Sequence, residues 1–188
     1  MAERHSEYER DEHDWYVEPA SIVRDLLRGY PSLHNGMHDP CCGGGTIPET
    51  ATAMGFDATG ADLVDRANGR YRVMDFLKDT ATYPSIVTNP PFKIAPQIIR
   101  HALTRVRYGG IVVAVCQAKF LFSQARHPLF SCPEMERVLV LSKRPSMPPG
   151  KVLAELGEAC RGGGAIDYVW CIWRVGKTSL GASVEWVL

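Results

Sequence analysis

The sequence predicts an α/β fold in which a mostly parallel sheet lies between two layers of helices. Short apolar runs alternate with segments of helical spacing along residues 37–116. The run 111–116 is apolar at every position, as in a strand that is buried on both faces. Two further apolar runs, 137–141 and 167–173, have no clear helix between them, so they predict an antiparallel pair at the edge of the sheet.

Each earlier element follows from a local pattern. A helix is predicted over 19–29, because a proline opens this segment, a glycine ends it, and four aliphatic residues share one helical face. A second helix, 47–54, ends at Gly55, and a third, 96–107, begins at a proline and ends before a glycine pair. Apolar runs bounded by turn residues predict four strands, at 37–39, 56–61, 71–74 and 85–88.

Length and composition limit the class of protein. The 188 residues are 45% hydrophobic and 22% charged, which is typical of a folded domain. We expect a flexible acidic arm over 1–14 and a single domain over 15–188, in the cytoplasm, without a secretory signal or a membrane-spanning segment. The six cysteines form no Cys-x-x-Cys pair, so we expect free thiols and no metal site.

The charges are distributed unevenly along the chain. Residues 1–90 carry 8 basic and 15 acidic side chains, whereas residues 91–188 carry 13 basic and 6 acidic side chains. The formal net charge of zero argues against a protein that coats nucleic acid by its overall charge. A polyanion would nevertheless approach the second half and avoid the first. Chance clustering of charges on solvent-exposed faces would give the same distribution.

Three candidate ligand-binding features follow predicted strands. Residues 39–46, Asp-Pro-Cys-Cys-Gly-Gly-Gly-Thr, follow the first strand, and their glycines let the backbone approach a ligand closely. Asp62 ends the next strand, at a spacing from Asp39 that suits a carboxylate binding the ribose hydroxyls of an adenosine cofactor. Asp75 and Phe76 end the third strand, where an acceptor beside a ring suits an adenine. A tight turn would also account for the glycines, and a helix cap for Asp62.

The segment 89–92, Asn-Pro-Pro-Phe, ends the fourth strand and is the most informative stretch of the sequence. Its two prolines remove two backbone donors and stiffen the turn, so the Asn89 amide oxygen and the Pro90 carbonyl become two fixed acceptors. Phe92 adds a flat apolar face. Two acceptors beside such a face match a planar group that bears an NH2, such as the exocyclic amine of a base. Holding both hydrogens would free the nitrogen lone pair for attack.

In this order, the four motifs resemble those of the class I S-adenosylmethionine-dependent methyltransferases, and particularly the adenine-N6 DNA methyltransferases of phage and prophage type. Residues 15–19, Trp-Tyr-Val-Glu-Pro, are similar to the family segment that packs on the methionine end of the cofactor. The resemblance implies a Rossmann-like fold with a mostly parallel seven-stranded sheet, an antiparallel edge strand and helices on both faces. It also implies a bacterial or phage-infected host cell.

The resemblance further implies a role for each matching residue. The residues that would bind S-adenosylmethionine are Tyr16, Pro19, Asp39, Pro40, Cys41, Gly43, Asp62, Asp75, Phe76 and Asn89. The catalytic segment would be Asn89, Pro90, Pro91 and Phe92, with the first two holding the target amine and Phe92 stacking on its base. The methyl group would pass directly to nitrogen by in-line displacement, without a covalent enzyme intermediate. Pro40-Cys41, the dipeptide of the cytosine-C5 nucleophile, lies here in the cofactor loop, where we expect it to serve packing.

Nucleic acid, and DNA rather than RNA, is the expected substrate. The residues predicted to contact it are Lys93, Lys119, Arg126, His127, Lys143 and Arg144. Phe120 and Phe122 lie among them, either as base-stacking groups or as part of a helix core. Since no separate target-recognition domain fits after Phe92, we expect a short target sequence or a partner protein that supplies specificity.

Other functions remain compatible with the same motifs. An RNA adenine-N6, a cytosine-N4 or a protein-glutamine N5 methyltransferase would use the same chemistry on a different amine or amide. A non-catalytic methyltransferase-like subunit would keep the fold without the activity, although the presence of Asp39, Asp62 and Asn89 argues against this hypothesis.

Overall fold

The computed structural model describes residues 14–187, so the expected acidic arm over 1–14 lies outside the described residues except for Asp14. The strands of the described chain are β1 Met37–Asp39, β2 Ala58–Asp62, β3 Arg72–Val73, β4 Ile86–Thr88, β5 Ile111–Gln117, β6 Met135–Leu141, β7 Tyr168–Arg174 and β8 Ser183–Val187. Its α-helices are α1 Ala20–Gly29, α2 Thr46–Ala53, α3 Ala95–Arg105, α4 His127–Phe130 and α5 Gly150–Leu156. Across residues 14–187, every helix is too short or too polar to span a bilayer.

All eight strands belong to one sheet, in the order β3-β2-β1-β4-β5-β7-β6-β8. Strands β1 to β5 run parallel to one another, and β7 is antiparallel to both β5 and β6. The predicted α/β class, with a mostly parallel sheet and an antiparallel pair, is confirmed. The helix α5 lies between the two strands of the pair, where the sequence indicated none, and β8 rather than the pair forms the edge of the sheet. The strand number is corrected from seven to eight, because β8 adds a strand parallel to β6. An ion pair between Arg137 and Glu185, at 3.1 Å, joins these two strands.

Fewer helices follow the strands than a regular series of strand–helix units requires. Helix α2 follows β1 and α3 follows β4, but the described chain between β2 and β4 contains, besides β3, only loops and one 3-10 turn, Phe76–Lys78. The predicted bounds of the regular elements that the motifs depend on agree with the structure to within two residues. Apolar pattern and helix caps are local properties of the chain, which explains this agreement.

The core lies on both faces of the sheet. The odd-numbered residues of 111–115 pack with α1 and α2 in one apolar cluster, and the even-numbered residues of 112–116 pack with α3 in the other. This two-sided burial explains why the β5 sequence is apolar at every position. The packed helices fix β1, β2 and β4 in place, and the carboxyl ends of these strands carry the predicted motifs.

His38 of β1 is buried where the loop between β3 and β4 covers the sheet. Its ring stacks on Tyr83 with centroids 4.2 Å apart, and its Nδ1 lies 2.8 Å from Oγ1 of Thr59. Its Nε2 is buried without a hydrogen-bond partner in the described chain. Burial disfavours the charged imidazolium and lowers the pKa of His38 from 6.5 to about 4.

We expect His38→Gln to reduce the pH dependence of stability. The unfolded chain binds a proton at His38 more readily than the fold does, so this contribution is complete above about pH 6.5 and is lost as the pH falls towards about 4. Between about pH 4 and about pH 7, the free energy of unfolding should rise by about 3 kcal/mol more in the wild type than in the variant. Urea unfolding at both pH values measures this difference, and equal rises would contradict it.

Candidate active site

A cavity of about 220 Å³ lies at the carboxyl ends of the parallel strands. Of the predicted site residues, the cavity is lined by Tyr16, Pro40, Cys41, Gly43, Asp62, Asp75, Phe76, Asn89, Pro91 and Lys93. The predicted residues Pro19, Asp39, Pro90 and Phe92 are not part of this lining. The structure therefore brings together motifs that are spread over more than seventy residues of the sequence.

The glycine-containing loop after β1 is shaped by carboxylates at two strand ends. The backbone N–H of Cys41 donates to Asp39 Oδ1 at 3.1 Å, and the N–H of Gly43 donates to Asp62 Oδ2 at 2.8 Å. Gly43 has a φ of +54°, a left-handed conformation that glycine adopts without a Cβ penalty. Asp62 thus ties the loop to the end of β2.

The indole ring of Trp15 packs over this loop and requires two glycines beneath it. A Cβ atom on Gly43 would lie 2.5 Å from Trp15 Nε1, and a Cβ atom on Gly150 would lie 2.2 Å from the ring. The guanidinium of Arg66 lies 4.3 Å from the centroid of the Trp15 ring, a cation–π distance. Trp15 is thereby held between the glycine loop and the start of α5, where it forms a wall of the cavity.

Asp39 lies beneath the loop and is almost completely buried, with 1% of its surface exposed. Its Oδ2 atom has no hydrogen-bond partner in the described part of the chain. Burial, reinforced by the nearby charge of Glu18, raises the pKa of Asp39 well above its usual value. Desolvation, with the charge of Asp39 adding to it, likewise raises the pKa of the Cys41 thiol, so this thiol is poorly suited to be a nucleophile.

Asp62 and Asp75 each cap the turn that follows their strand. Asp62 Oδ1 accepts the N–H of Val64 at 3.0 Å, and Asp75 Oδ1 accepts the N–H of Leu77 at 3.1 Å. The capping role considered for Asp62 is therefore present, while both carboxylates also line the cavity. Phe76 is buried beside Asp75 and contributes an apolar part of the lining.

The Asn89 amide is held by the segment 14–18, which we call the strap. Asn89 Nδ2 donates to the backbone carbonyl of Tyr16 at 2.7 Å and to Glu18 Oε2 at 2.8 Å. Both amide hydrogens are used in these two bonds, so the group can serve a substrate only through Oδ1. Glu18 is 5% exposed, and desolvation raises its pKa to about 7 although the hydrogen bonds to the carboxylate oppose this shift.

Phe92 lies beside the cavity rather than in its lining. Its ring stacks on Tyr16 with centroids 5.9 Å apart and is tilted against Tyr168 at 6.2 Å. Phe92 also packs against the apolar cluster beneath α1 and α2. The predicted stacking of Phe92 on a target base stays a prediction.

The strap is fixed by contacts with the segment before and within α5. The N–H of Val17 donates to the carbonyl of Pro148 at 3.0 Å, and the N–H of Gly150 donates to the carbonyl of Trp15 at 2.9 Å. Arg161 Nη1 donates to the carbonyls of Val17 and Ser146, each at 2.8 Å. Arg161 thus joins the strap to the loop after β6.

Sequence reasoning assigned no role to Glu18 or Arg161. Glu18 lies in the segment 15–19 that resembles the family motif. Its acidic side chain directly before the proline was the signal that could have identified it. Arg161 has no comparable signal, because its partners are backbone carbonyls more than a hundred residues away and in a separate loop.

The predicted nucleic-acid contacts separate into exposed and engaged side chains. Lys93, Lys119 and Lys143 are exposed around the loops that follow the strands. Arg126 donates to the carbonyls of Phe120 and Lys119, at 2.7 and 3.1 Å, and therefore stabilises its own loop. The remaining two also have partners within the protein: Arg144 pairs with Asp167 at 2.6 Å, and His127 Nδ1 lies 3.3 Å from Ser131 Oγ.

The structure distinguishes the two phenylalanines that follow β5. Phe120 is 8% exposed and belongs to the apolar cluster under α3, whereas Phe122 is 79% exposed. Arg126 stacks over the Phe120 ring at 4.7 Å, so the loop that carries Phe122 is anchored. Of the two predicted possibilities, base stacking or core packing, Phe120 packs in the core. Phe122 is exposed and so is available to a partner molecule.

Comparison with solved structures identifies the fold. The chain is similar to a putative class I S-adenosylmethionine-dependent methyltransferase from Listeria monocytogenes, with a TM-score of 0.65, 12% identity, and 94% of this chain and 67% of that chain covered. It is also similar to the modification subunit of a putative type I restriction enzyme from Vibrio vulnificus, with a TM-score of 0.61, 15% identity, and coverages of 87% and 45%.

A putative RNA methyltransferase from Pyrococcus horikoshii is similar as well, with a TM-score of 0.59, 13% identity, and coverages of 85% of this chain and 83% of that chain. Of the Vibrio vulnificus subunit described above, the chain covers less than half of the length. No protein-family model matches the sequence, and no curated protein matches it. At these identities the likeness shows the fold, which is that of the class I methyltransferases.

We expect Gly43→Ala to displace the Trp15 ring, because the new Cβ atom would lie 2.5 Å from Nε1 and the residue has a positive φ. The free energy of unfolding should fall by about 1–2 kcal/mol from the backbone conformation, and more if the ring cannot move. Gly44→Ala is the matched control, since its Cβ atom would lie 3.9 Å from the nearest Trp15 atom. Urea unfolding and near-ultraviolet circular dichroism measure both effects, and equal losses in the two variants would contradict this explanation.

Proposed function

We propose that this protein is an S-adenosylmethionine-dependent N-methyltransferase that acts on the exocyclic amine of adenine in DNA. The Asn89 amide is the observation that supports the chemistry most directly. The protein engages both amide hydrogens and leaves the oxygen as an acceptor at a cavity large enough for a ligand. An acceptor fixed in this way suits a substrate that presents an NH2 group.

The residues around the cavity fit the proposed cofactor. Gly43 and Gly44 line the cavity with backbone atoms, and Asp62 offers carboxylate oxygens for ribose hydroxyls. The buried carboxyl groups of Asp39 and Glu18 lie nearby, and the positive charge of a bound sulfonium would favour their ionised forms. Asp39 Oδ2 is a buried acceptor that has no partner within residues 14–187. When bound, S-adenosylmethionine supplies an electrophilic methyl group on a sulfonium ion.

The chain's own contribution to the transfer is positioning. Asn89 Oδ1 and the Pro90 carbonyl accept the two amine hydrogens and so direct the nitrogen lone pair towards the methyl group. Tyr16 and Glu18 prevent the Asn89 amide from rotating, because each accepts one of its hydrogens. Pro90 and Pro91 have no backbone N–H, so neither can donate a hydrogen bond to the lone pair of the amine nitrogen. The rigid arrangement lowers the barrier without a covalent enzyme intermediate.

Nucleic acid is the proposed substrate class. Lys93, Lys119 and Lys143 offer exposed cations for phosphates, and Phe122 offers an exposed ring for a base. A base within a duplex would have to be flipped out to reach Asn89. The similarity to a restriction-enzyme modification subunit supports DNA, and the same comparison supports a partner protein that contributes target recognition.

An RNA adenine amine is the second candidate, supported by the similarity to a putative RNA methyltransferase. The experiment that tests the proposal also tests the cytosine-N4 and protein-glutamine N5 methyltransferase alternatives and the non-catalytic subunit. Transfer of labelled methyl from S-adenosylmethionine is measured with duplex DNA, single-stranded DNA, RNA and protein, and the labelled product is identified. N6-methyladenine from DNA supports the proposal, whereas label in RNA or protein redirects it to that substrate.

We expect Asn89→Ala to lower kcat for methyl transfer by about a hundredfold or more, because the amine loses a fixed acceptor. Binding of S-adenosylmethionine, measured by calorimetry, should change much less. Asn35→Ala is the matched control, since Asn35 is exposed at the end of a 3-10 turn away from the cavity lining. Undiminished transfer by Asn89→Ala would contradict the assigned role.

We expect Phe122→Ala to weaken DNA binding by about fivefold to 150-fold, because stacking on an aromatic ring is worth about 1–3 kcal/mol per base. Tyr108→Ala is the matched control. Tyr108 is 85% exposed but lies before β5, at the amino-terminal end of this strand, whereas Phe122 lies beyond its carboxyl end. Fluorescence anisotropy with labelled DNA measures both affinities. Equal effects of the two substitutions would argue against a binding surface at Phe122.

A further inference from the structure

Glu18 is a buried carboxylate that lacks an ion-pair partner in the described chain. Its Oε2 accepts from Asn89, but the nitrogens of Arg161 donate to the Val17, Glu18 and Ser146 carbonyls and to Glu158. Burying a carboxylate without an ion-pair partner is costly, because its hydrogen bonds, from Asn89 and from its own backbone, replace only part of its hydration. Its raised pKa reflects this cost.

A second buried carboxylate lies close enough to interact with Glu18. The charge of Glu18 contributes to the raised pKa of Asp39, and Asp39 Oδ2 has no hydrogen-bond partner within residues 14–187. Neither carboxylate forms an ion pair within residues 14–187, and the charge of Arg161 offsets the burial of Glu18 only in part. A positively charged ligand in the cavity that Glu18 lines would add the missing counter-charge. Asp62, which lines the same cavity, adds a third acidic group.

The proposed reaction changes the charge of the ligand at this point. The amine nitrogen gives its lone pair to the methyl carbon, the C–S bonding pair remains on sulfur, and the methylated amine releases a proton to water. The sulfur centre therefore carries a positive charge before transfer and none afterwards. A carboxylate near the reacting atoms is attracted to the first state and not to the second.

We propose that Glu18 has two roles: it positions Asn89, and it is the counter-charge through which the site binds the cationic methyl donor more tightly than the neutral thioether product. This inference rests on the proposed function. The geometry supports the pairing of both roles in one side chain, since its Oε2 lies 2.8 Å from the nitrogen of the catalytic amide and Glu18 itself lines the cavity. It assigns to Glu18 a means of favouring product release.

The Glu18→Gln variant separates the two roles. Glutamine keeps a carbonyl oxygen that can accept from Asn89 but removes the negative charge, whereas Glu18→Ala removes both. Calorimetry compares the binding of S-adenosylmethionine, S-adenosylhomocysteine and sinefungin, an analogue that bears a charged amine near the sulfonium position. Glu155→Gln, at an exposed position of α5, is the matched control for loss of a carboxylate.

We expect Glu18→Gln to weaken the binding of S-adenosylmethionine and sinefungin by about tenfold and to change that of S-adenosylhomocysteine by less than about twofold. Glu155→Gln should match the wild type with all three ligands. At saturating cofactor, kcat should be about tenfold lower in Glu18→Ala than in Glu18→Gln, because the glutamine still holds Asn89. If Glu18→Ala does not fold, the binding data for Glu18→Gln still test the charge.

Two results would overturn the inference in distinguishable ways. Equal losses of affinity for the charged and neutral ligands in Glu18→Gln would show that the carboxylate is a structural hydrogen-bond acceptor, and the proposed function would stand. Failure of the wild-type protein to bind any of the three ligands would overturn the proposed function and this inference together.

Discussion

The fixed orientation of the Asn89 amide depends on a segment that lies about seventy residues earlier in the chain. Tyr16 and Glu18 each accept one amide hydrogen, and these bonds leave Oδ1 as the amide atom that can accept a further hydrogen bond. An amide on an unsupported loop could rotate and offer a donor instead of an acceptor. The strap therefore defines the chemical character of the site as well as closing its wall.

The strap in turn depends on close packing that only glycine permits. Trp15 occupies the space that Cβ atoms would fill at Gly43 and Gly150, so the glycine loop, the strap and the start of α5 support one another. Arg161 adds hydrogen bonds from the strap to the loop after β6. A change at one of these positions is consequently felt at Asn89, although none of them needs to touch a substrate.

Burial and charge are combined at one end of the cavity. Asp39 and Glu18 are both enclosed, and desolvation raises the pKa of each. A protein that needed only stability would be expected to replace such groups with apolar ones of similar volume. Their presence beside a fixed acceptor is consistent with a site that receives a cation and presents an amine to it.

The sequence by itself determined the α/β class, the bounds of the elements around the motifs and the position of the motifs at strand ends, because apolar periodicity, proline and glycine act within a few residues. Tertiary structure decided the rest. It placed β7 between β5 and β6, added β8, buried Phe120 while exposing Phe122, and engaged Arg126 and Arg144 within the protein. It also brought Glu18 to Asn89, seventy-one positions later in the chain. Contacts of this kind depend on how whole elements and loops pack, and no local pattern carries that information.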